Sequence, residues 1–363
     1  MSKRSHPRIA FLTSFPNDVS VGSGVVRMIS GYVRALQKLN VEADFIHARF
    51  HPKSYLNLAV RRLLFNKHLN LHDYDIVIGS DFDGFSLTAS RPPKIVLNGG
   101  ILADIVRFEQ GRIQRILRHL ALRECQNVRS AAFTVVPSQY TAQKVQELYG
   151  ISREHIRIIP PGINYAYWQN LLATAEKADH NPPTILCVAK HYPRKGIADL
   201  IEALPFVIRA VPGVRLSLVG GGPQFEFHQE VARQRGVFRY IEFVGDVNDD
   251  ARLARYYRKA QIFCLPTYHE TFGIVFLEAM AAGLPVVAYR STAVPEVVSP
   301  NEGLLTPVGD IARLAQNLVT LLLNRTLREQ MGAAGRRKVR QFSWQASAQE
   351  LLRLLHTVLP RNV

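Results

Sequence analysis

Cysteine, long apolar runs and acidic residues are all scarce in this sequence, and each scarcity removes a class of protein. Cys125, Cys187 and Cys264 are the only cysteines. Scattered, odd in number and partly set in apolar runs, they suit neither a zinc site nor a disulfide framework and read as reduced, buried thiols. No segment approaches the roughly 20 apolar residues that a bilayer crossing needs. The apolar start at residues 9–15 is short and runs into Pro16-Asn17-Asp18. It reads as a first β-strand rather than a secretory signal. The expected setting is therefore cytoplasmic, with attachment to the inner face of the cytoplasmic membrane as an option. Asp plus Glu number 29 against 45 Lys plus Arg, a net charge of +16. That surplus calls for an anionic partner: a nucleotide, an anionic membrane or a nucleic acid.

What the sequence does hold is a rhythm. A length of 363 residues exceeds what one compact core usually supports. Short apolar runs at 9–13, 43–47, 76–78, 94–97 and 133–136 alternate with helical patterns at 25–39 and 104–123, which predicts a parallel, doubly wound α/β sheet. A polar stretch at 166–183, closing on Asn181-Pro182-Pro183, reads as a linker. The rhythm restarts at 185–189, 216–219, 241–244, 262–265 and 285–288, and an amphipathic helical tail follows at 342–359. The expected domains are 1–168 and 182–340, with 341–363 as a terminal helix. Two such sheets in series predict a ligand cleft at their carboxyl ends.

The most informative segment runs from Glu270 to Glu278. It follows the strand at 262–265, and a helix starting near Phe272-Gly273 and ending at Gly283 fits its composition. The free N–H groups and positive dipole end of such a helix bind a diphosphate, and Gly273 lets phosphate oxygens approach the backbone. Phe272, Gly273 and Ile274 are thus candidate donor contacts. Glu270, before the helix, is placed to accept hydrogen bonds from the transferred sugar, and Glu278, on the helix, from ribose hydroxyls. Glu278 lies among Leu277, Ala279, Met280 and Ala281, and a carboxylate in such surroundings needs a partner. Lys190 ends the first strand of this half and Lys195 opens the next helix; both can neutralise a leaving diphosphate without a metal. Gly221, in Gly220-Gly221-Gly222-Pro223, and Gly245 either frame a nucleobase or make tight turns.

Together these residues resemble the group 1, glycogen-synthase-like retaining glycosyltransferases of the GT-B fold. The match runs through Lys195-Gly196, Leu218-Val219-Gly220-Gly221-Gly222-Pro223, Phe243-Val244-Gly245, Pro266, Glu270-x-Phe272-Gly273, Glu278-Ala279-Met280-Ala281, Gly283-x-Pro285-Val286-Val287, Pro295-Glu296, Gly303-Leu304-Leu305 and Phe342-Ser343-Trp344. The first half matches more loosely, at Ser23-Gly24, Val136-Pro137-Ser138 and Ile159-Pro160-Pro161-Gly162-Ile163-Asn164. The resemblance implies two Rossmann-like domains facing across a cleft, with the terminal helix crossing back to the first. It implies transfer of a hexose-type unit from a nucleotide diphosphate sugar, with retention and no metal or other cofactor. The acceptor is then a glycan or lipid-linked precursor of cell-envelope, lipopolysaccharide or exopolysaccharide synthesis. Catalysis falls to Glu270, Lys195 and Lys190, and donor binding to Ser23, Gly24, Gly221, Gly245, Phe272, Gly273, Ile274 and Glu278. The first domain then takes the acceptor and the second the donor; Asn98, on the acceptor side, stands where members often carry a histidine after the fourth strand, and it cannot exchange a proton near neutral pH.

Three further signals weigh less. Asp81-Phe82-Asp83 has a D-x-D spacing that elsewhere holds a divalent cation, but it lies far from the diphosphate machinery and is expected to line the acceptor side. Gly22-Ser23-Gly24-Val25-Val26-Arg27, with Asp44 downstream, half-matches a dinucleotide fingerprint, which leaves a nicotinamide-dependent oxidoreductase as a weak rival. Basic residues mix with apolar ones at 49–67 and 107–123, either as solvated faces or as a contact with anionic membrane. A nucleic-acid binder is disfavoured, because no recognised module is present and aromatics are not spaced as stacking platforms.

Overall fold

The computed structural model describes residues 7–16, 19–49, 55–67, 69–87, 92–175 and 182–359, with the backbone alone at 19–23 and 55. The chain divides into two compact units: Met1–Gly162 with Ser343–Val363, and Ile163–Phe342.

The first unit is built on a six-stranded sheet. Its strands are β1 (Ile9–Pro16), β2 (Ala43–Ala48), β3 (Ile76–Ser80), β4 (Lys94–Leu97), β5 (Phe133–Val136) and β6 (Ile156–Ile158). They lie in the order β2-β1-β3-β4-β5-β6, each pairing with its neighbours in parallel. Burial on both faces explains the continuous apolar strands: Ile9, Ala10, Phe11 and Leu12 are all at 0% exposure. Order reverses between β1 and β3, so the loops leaving these two strands face one crevice, where open α/β sheets bind ligands. The helix Trp344–Val358 completes this unit by packing on the helix Val19–Lys38. A side chain at Gly31 would drive a Cβ into the Trp344 indole, and Tyr32 meets that indole edge-on at 5.5 Å. The tail therefore crosses back to the first unit, as expected.

The second unit repeats the plan with β7 (Thr184–Val188), β8 (Arg215–Val219), β9 (Ile241–Gly245), β10 (Ile262–Leu265), β11 (Val286–Tyr289) and β12 (Gly303–Thr306). The order is β12-β11-β10-β7-β8-β9, again all parallel. Reversal falls between β7 and β10. Every residue of β10 is fully buried, and each large apolar side chain contributes roughly 1.5–3 kcal/mol.

Three details differ from the sequence reading. The stretch read as a linker carries a helix, Tyr165–Thr174, whose Trp168 and Leu172 are buried in the second unit's core; its polar look is one exposed face of an amphipathic helix, and 176–181 lie outside the described residues. The helix at 104–123 is two pieces, Leu102–Ile105 and Gly111–Arg129, broken by a 3-10 turn. Gly24 stands within the helix Val19–Lys38 rather than in a loop before it. The edge strands β6 and β12, short and mixed in composition, carried no clear pattern.

Candidate active site

Three loops meet at the carboxyl edge of the second unit's sheet, at its switch point: 189–196 after β7, 266–273 after β10 and 290–293 after β11. The first two are tied by backbone. Tyr268 N–H donates to Arg194 O at 2.8 Å and Thr267 Oγ1 to the same carbonyl at 3.0 Å. Gly196 makes the approach possible: its φ is +64°, and a Cβ there would lie 1.9 Å from Pro266 O.

This tie sets Lys195 on Glu270. The Lys195 Nζ lies 2.5 Å from Glu270 Oε2, with 15% and 14% of the two side chains exposed. Burial pushes the Glu270 carboxyl up, but the Lys195 ammonium, with His269 and Arg194 behind it, outweighs burial and holds it below the usual Glu range. The pair is thus ionised in place. Lys190 is engaged separately, at 2.7 Å from Asp246 Oδ1, which also accepts from Gly221 N–H at 2.7 Å. The two lysines expected to act together therefore have different carboxylate partners, one on each side of the switch point.

The helix after the loop is Ile274–Ala282. Gly273 precedes it at φ +88°, where a Cβ would sit 2.5 Å from the Phe276 ring and 3.2 Å from Glu270 Cγ. No side chain caps this end, so the first N–H groups, Ile274's among them, are directed at whatever binds there. At the other end Gly283 closes the helix in the left-handed conformation. Phe272 turns inward: the residue is 5% exposed and its ring packs edge-on to Phe342 at 5.7 Å. Glu278 is 2% exposed and accepts from Tyr257 Oη at 2.8 Å. Burial alone therefore does not demand a ligand at Glu278, because Tyr257 already meets the need for a partner.

The glycine loop after β8 is drawn tightly over the 189–192 segment. Gly220 N–H donates to Gly245 O at 2.7 Å, and His191 N–H to Gly221 O at 2.8 Å. A Cβ at Gly220 would lie 2.0 Å from Ala189 O. Beneath the loop His191 and His228 face each other, Nδ1 to Nδ1, at 3.0 Å. Burial pushes them down to about 4 and about 3, so both stay neutral at neutral pH. Asp246, Tyr257, His191 and Thr292 were not singled out from sequence. The signal was weak: Asp246 follows Gly245 at a strand end, and the others sit in runs that read as ordinary core or loop.

In the first unit, the residues assigned to an acceptor side lie at the carboxyl ends of β3, for Asp81 and Asp83, and β4, for Asn98. Asp83 is fully buried and engaged, accepting from Ser14 N–H at 2.7 Å, Ser80 Oγ at 3.2 Å and Asn66 Nδ2 at 2.9 Å. It is thus a structural anchor, and Asp81-x-Asp83 does not present two carboxylates to a cation. Asp81 takes a left-handed φ of +53°. Burial pushes it up to about 7, with Arg62 opposing and Asp83 adding to the rise. Asn98 is fully buried with neither amide atom hydrogen-bonded, and Asp81 Oδ1 and Glu124 Oε1 likewise lack a hydrogen-bond partner; Arg62 Nη2 makes no hydrogen bond but lies 3.8 Å from Asp81 Oδ2 and 4.0 Å from Asp83 Oδ2. These orphans, donors and acceptors together, are chemistry suited to a polyhydroxylated ligand. Arg62 was read as part of a basic face, but it is 5% exposed and stacks between Phe15 and Phe82 at 3.9 and 4.2 Å. The Ser23 side chain lies outside the described residues, and Gly24 is exposed.

Comparison with known proteins agrees with this geometry. Residues 22–167 match the model for Glycosyltransferase Family 4, and residues 171–338 that for Glycosyl transferases group 1. A phosphatidyl-myo-inositol mannosyltransferase of Mycobacterium leprae is 39% identical over 206 residues, 55% of this chain and 53% of the relative. A GDP-mannose-dependent alpha-(1-6)-phosphatidylinositol monomannoside mannosyltransferase of Mycobacterium tuberculosis is 35% identical over 228 residues, 59% of each chain. The matched region thus spans little more than half the length of these curated relatives. Among solved structures, sucrose-phosphate synthase from Thermosynechococcus elongatus has a TM-score of 0.81 at 21% identity over 97% of this chain and 99% of that one. WaaG, a glycosyltransferase involved in lipopolysaccharide biosynthesis, has a TM-score of 0.72 at 21% identity over 95% and 99%. At such identities these structures speak to the fold alone. The chain belongs to the group 1 glycosyltransferases and has their GT-B fold.

Proposed function

We propose that this protein transfers a hexose from a nucleotide diphosphate sugar to a hydroxyl of a lipid-linked acceptor, with retention and without a metal. The observation that carries the reading is the ionised Lys195–Glu270 pair beside the uncapped start of the helix Ile274–Ala282. A diphosphate at that helix end meets free N–H groups, and Lys195 and Lys190 supply the countercharge that a cation supplies elsewhere. Glu270 then accepts from the hydroxyls of the sugar, and Glu278 keeps acceptor capacity for ribose beyond the bond from Tyr257. In the reaction, the bond from the anomeric carbon to the diphosphate oxygen breaks and its electron pair leaves with the phosphate. The acceptor oxygen bonds to the same face of that carbon, and its proton passes to the departing diphosphate. Positioning and stabilisation of the leaving charge do the catalysis, with no protein nucleophile.

The relatives point to GDP-mannose as donor and a phosphatidylinositol lipid as acceptor. A membrane acceptor accords with the first unit's surface. On the helix Tyr55–Phe65, Leu56, Val60 and Leu64 recur at four-residue spacing and are 40%, 46% and 43% exposed. Exposed Arg61 lies on that helix, and exposed Arg112, Arg115 and Arg118 on the helix Gly111–Arg129 that packs against it. An apolar stripe edged with cations suits the surface of an anionic bilayer. Among the described residues no helix is long and apolar enough to cross one.

The test is transfer. GDP-mannose, with UDP- and ADP-sugars alongside, is incubated with phosphatidylinositol vesicles and the lipid product is analysed by NMR. The expected product carries an α-linked hexose from an α-linked donor, formed equally in chelator, and Glu270→Ala abolishes it. A β-linked product, a metal requirement, or full activity of Glu270→Ala would each overturn the matching part of the proposal.

A further inference from the structure

Thr292 carries two features that rarely coincide. Its φ is +43°, and it is the only β-branched residue in the left-handed region among the described residues; the other non-glycine cases are Asn40 and Asp81. A β-branched side chain is a genuine outlier there, since its Cβ substituents crowd the backbone. Strain of this kind persists only when surrounding contacts over-determine it, and it concentrates at functional sites. The contacts are present and converge on one residue. Thr292 Oγ1 accepts from Glu270 N–H at 2.8 Å and donates to Glu270 O at 2.8 Å, and Ala293 N–H adds a bond to the same carbonyl at 3.2 Å. One residue earlier, Ser291 Oγ donates to Thr267 O at 2.6 Å. The loop after β11 therefore grips the loop after β10 through side-chain hydroxyls, and both polar backbone atoms of Glu270 are held by one of them.

We propose that Thr292 is a positioning residue for Glu270, its strained backbone placing a hydroxyl that locks the Glu270 backbone so that the carboxylate meets Lys195 and the bound sugar. The inference rests on the catalytic role assigned to Glu270. Glycine would accept this φ without strain but has no hydroxyl, so conformational ease alone does not explain a threonine here. A generic turn does not explain it either, because a turn needs no side chain that both donates to and accepts from one distant residue. The 22 positions between the partners make this a tertiary tie.

The test uses the full chain and three substitutions. Thr292→Val keeps shape and removes the hydroxyl; Thr292→Ser keeps the hydroxyl; Thr292→Gly removes both hydroxyl and strain, so it remains informative if valine does not fold. The first readout needs no substrate: carbon-13 carboxyl NMR of labelled glutamate, with Glu270→Gln assigning the resonance. The charged or titratable neighbours of that carboxyl are Lys195, Arg194 and His269. Loss of the lock lets Glu270 swing from Lys195, so its titration moves upward by about one pH unit in the valine and glycine variants. Serine restores the wild-type value. The second readout is turnover of the donor found active in the transfer assay. There kcat falls about 10- to 100-fold in the valine and glycine variants, donor KM changes little, and serine recovers most of the rate. An unchanged Glu270 titration in folded valine or glycine variants, or serine failing to rescue it, overturns the proposal. An active Glu270→Gln with shifted titration in Thr292→Val instead overturns the role of Glu270 and leaves the lock standing.

Discussion

Replacing Lys195 by methionine isolates the electrostatics on which the donor site depends. Methionine keeps the length and apolar stem of lysine and removes the charge. Removing one partner of a buried ion pair costs about 3–5 kcal/mol. Here 15% and 14% of the side chains remain open to solvent, which lowers the expected loss to about 2–3 kcal/mol at neutral pH. The sign with pH is specific. Wild-type Glu270 titrates below the ordinary range, so its contribution to stability is complete above the unfolded pKa and is lost as pH falls through the folded one. Without Lys195 burial dominates and the carboxyl moves up, so the variant loses stability as pH rises. The gap between the proteins therefore opens as pH rises through the lowered wild-type pKa and widens further above the ordinary Glu range, where the variant loses stability. Trp168 is buried in the second unit, and the only other tryptophan, Trp344, belongs to the first. In a Trp344→Phe background, urea unfolding followed by fluorescence reports the second unit alone. A gap that is constant across pH, or one that closes toward neutrality, refutes the reasoning.

Gly273→Ala combines a left-handed φ of +88° with a Cβ placed 2.5 Å from the Phe276 ring. It should cost about 2–4 kcal/mol of second-unit stability and reduce donor affinity by more than it reduces overall fold, as measured by calorimetry. Tyr257→Phe strips Glu278 of a buried donor and should cost about 1–3 kcal/mol in urea unfolding, whereas phenylalanine with Glu278→Gln should recover part of that loss. Asp81 is pushed up to about 7, so the first unit loses stability as pH rises from the ordinary Asp range toward neutrality; Asp81→Asn should flatten that slope, read from Trp344 fluorescence in a Trp168→Phe background. Serine at Leu56, Val60 and Leu64 together should weaken sedimentation with phosphatidylinositol vesicles about 10-fold or more, and unaltered binding would argue against that surface.

Much of this was written in local sequence. The apolar runs at 262–265 and 185–189 announced buried parallel strands, and Gly273 and Gly283 bracketed the helix Ile274–Ala282 to within a residue. Both depend on short-range physics: burial of consecutive side chains and the few residues that tolerate positive φ. Tertiary pairing was not legible. Nothing local announces that Asp246 reaches Lys190, that Tyr257 satisfies Glu278, or that Thr292 holds Glu270 across 22 positions. Composition also misled where faces mattered. The polar stretch after 165 hid a helix with Trp168 and Leu172 on its inner side, and Arg62, counted as surface charge, lies stacked between two phenylalanines.

Donor binding by the second unit is the central claim, and equilibrium titration tests it most directly. Wild type, Lys195→Met and Gly273→Ala are each titrated with GDP, GDP-mannose and the UDP- and ADP-sugars in chelator, with thermal unfolding as readout. One nucleotide series should stabilise the wild type, by about 2.7 kcal/mol at 100 times its Kd, and both variants should lose at least tenfold in affinity for it. Absence of stabilisation by every nucleotide diphosphate, or equal stabilisation of all three proteins, would contradict the account.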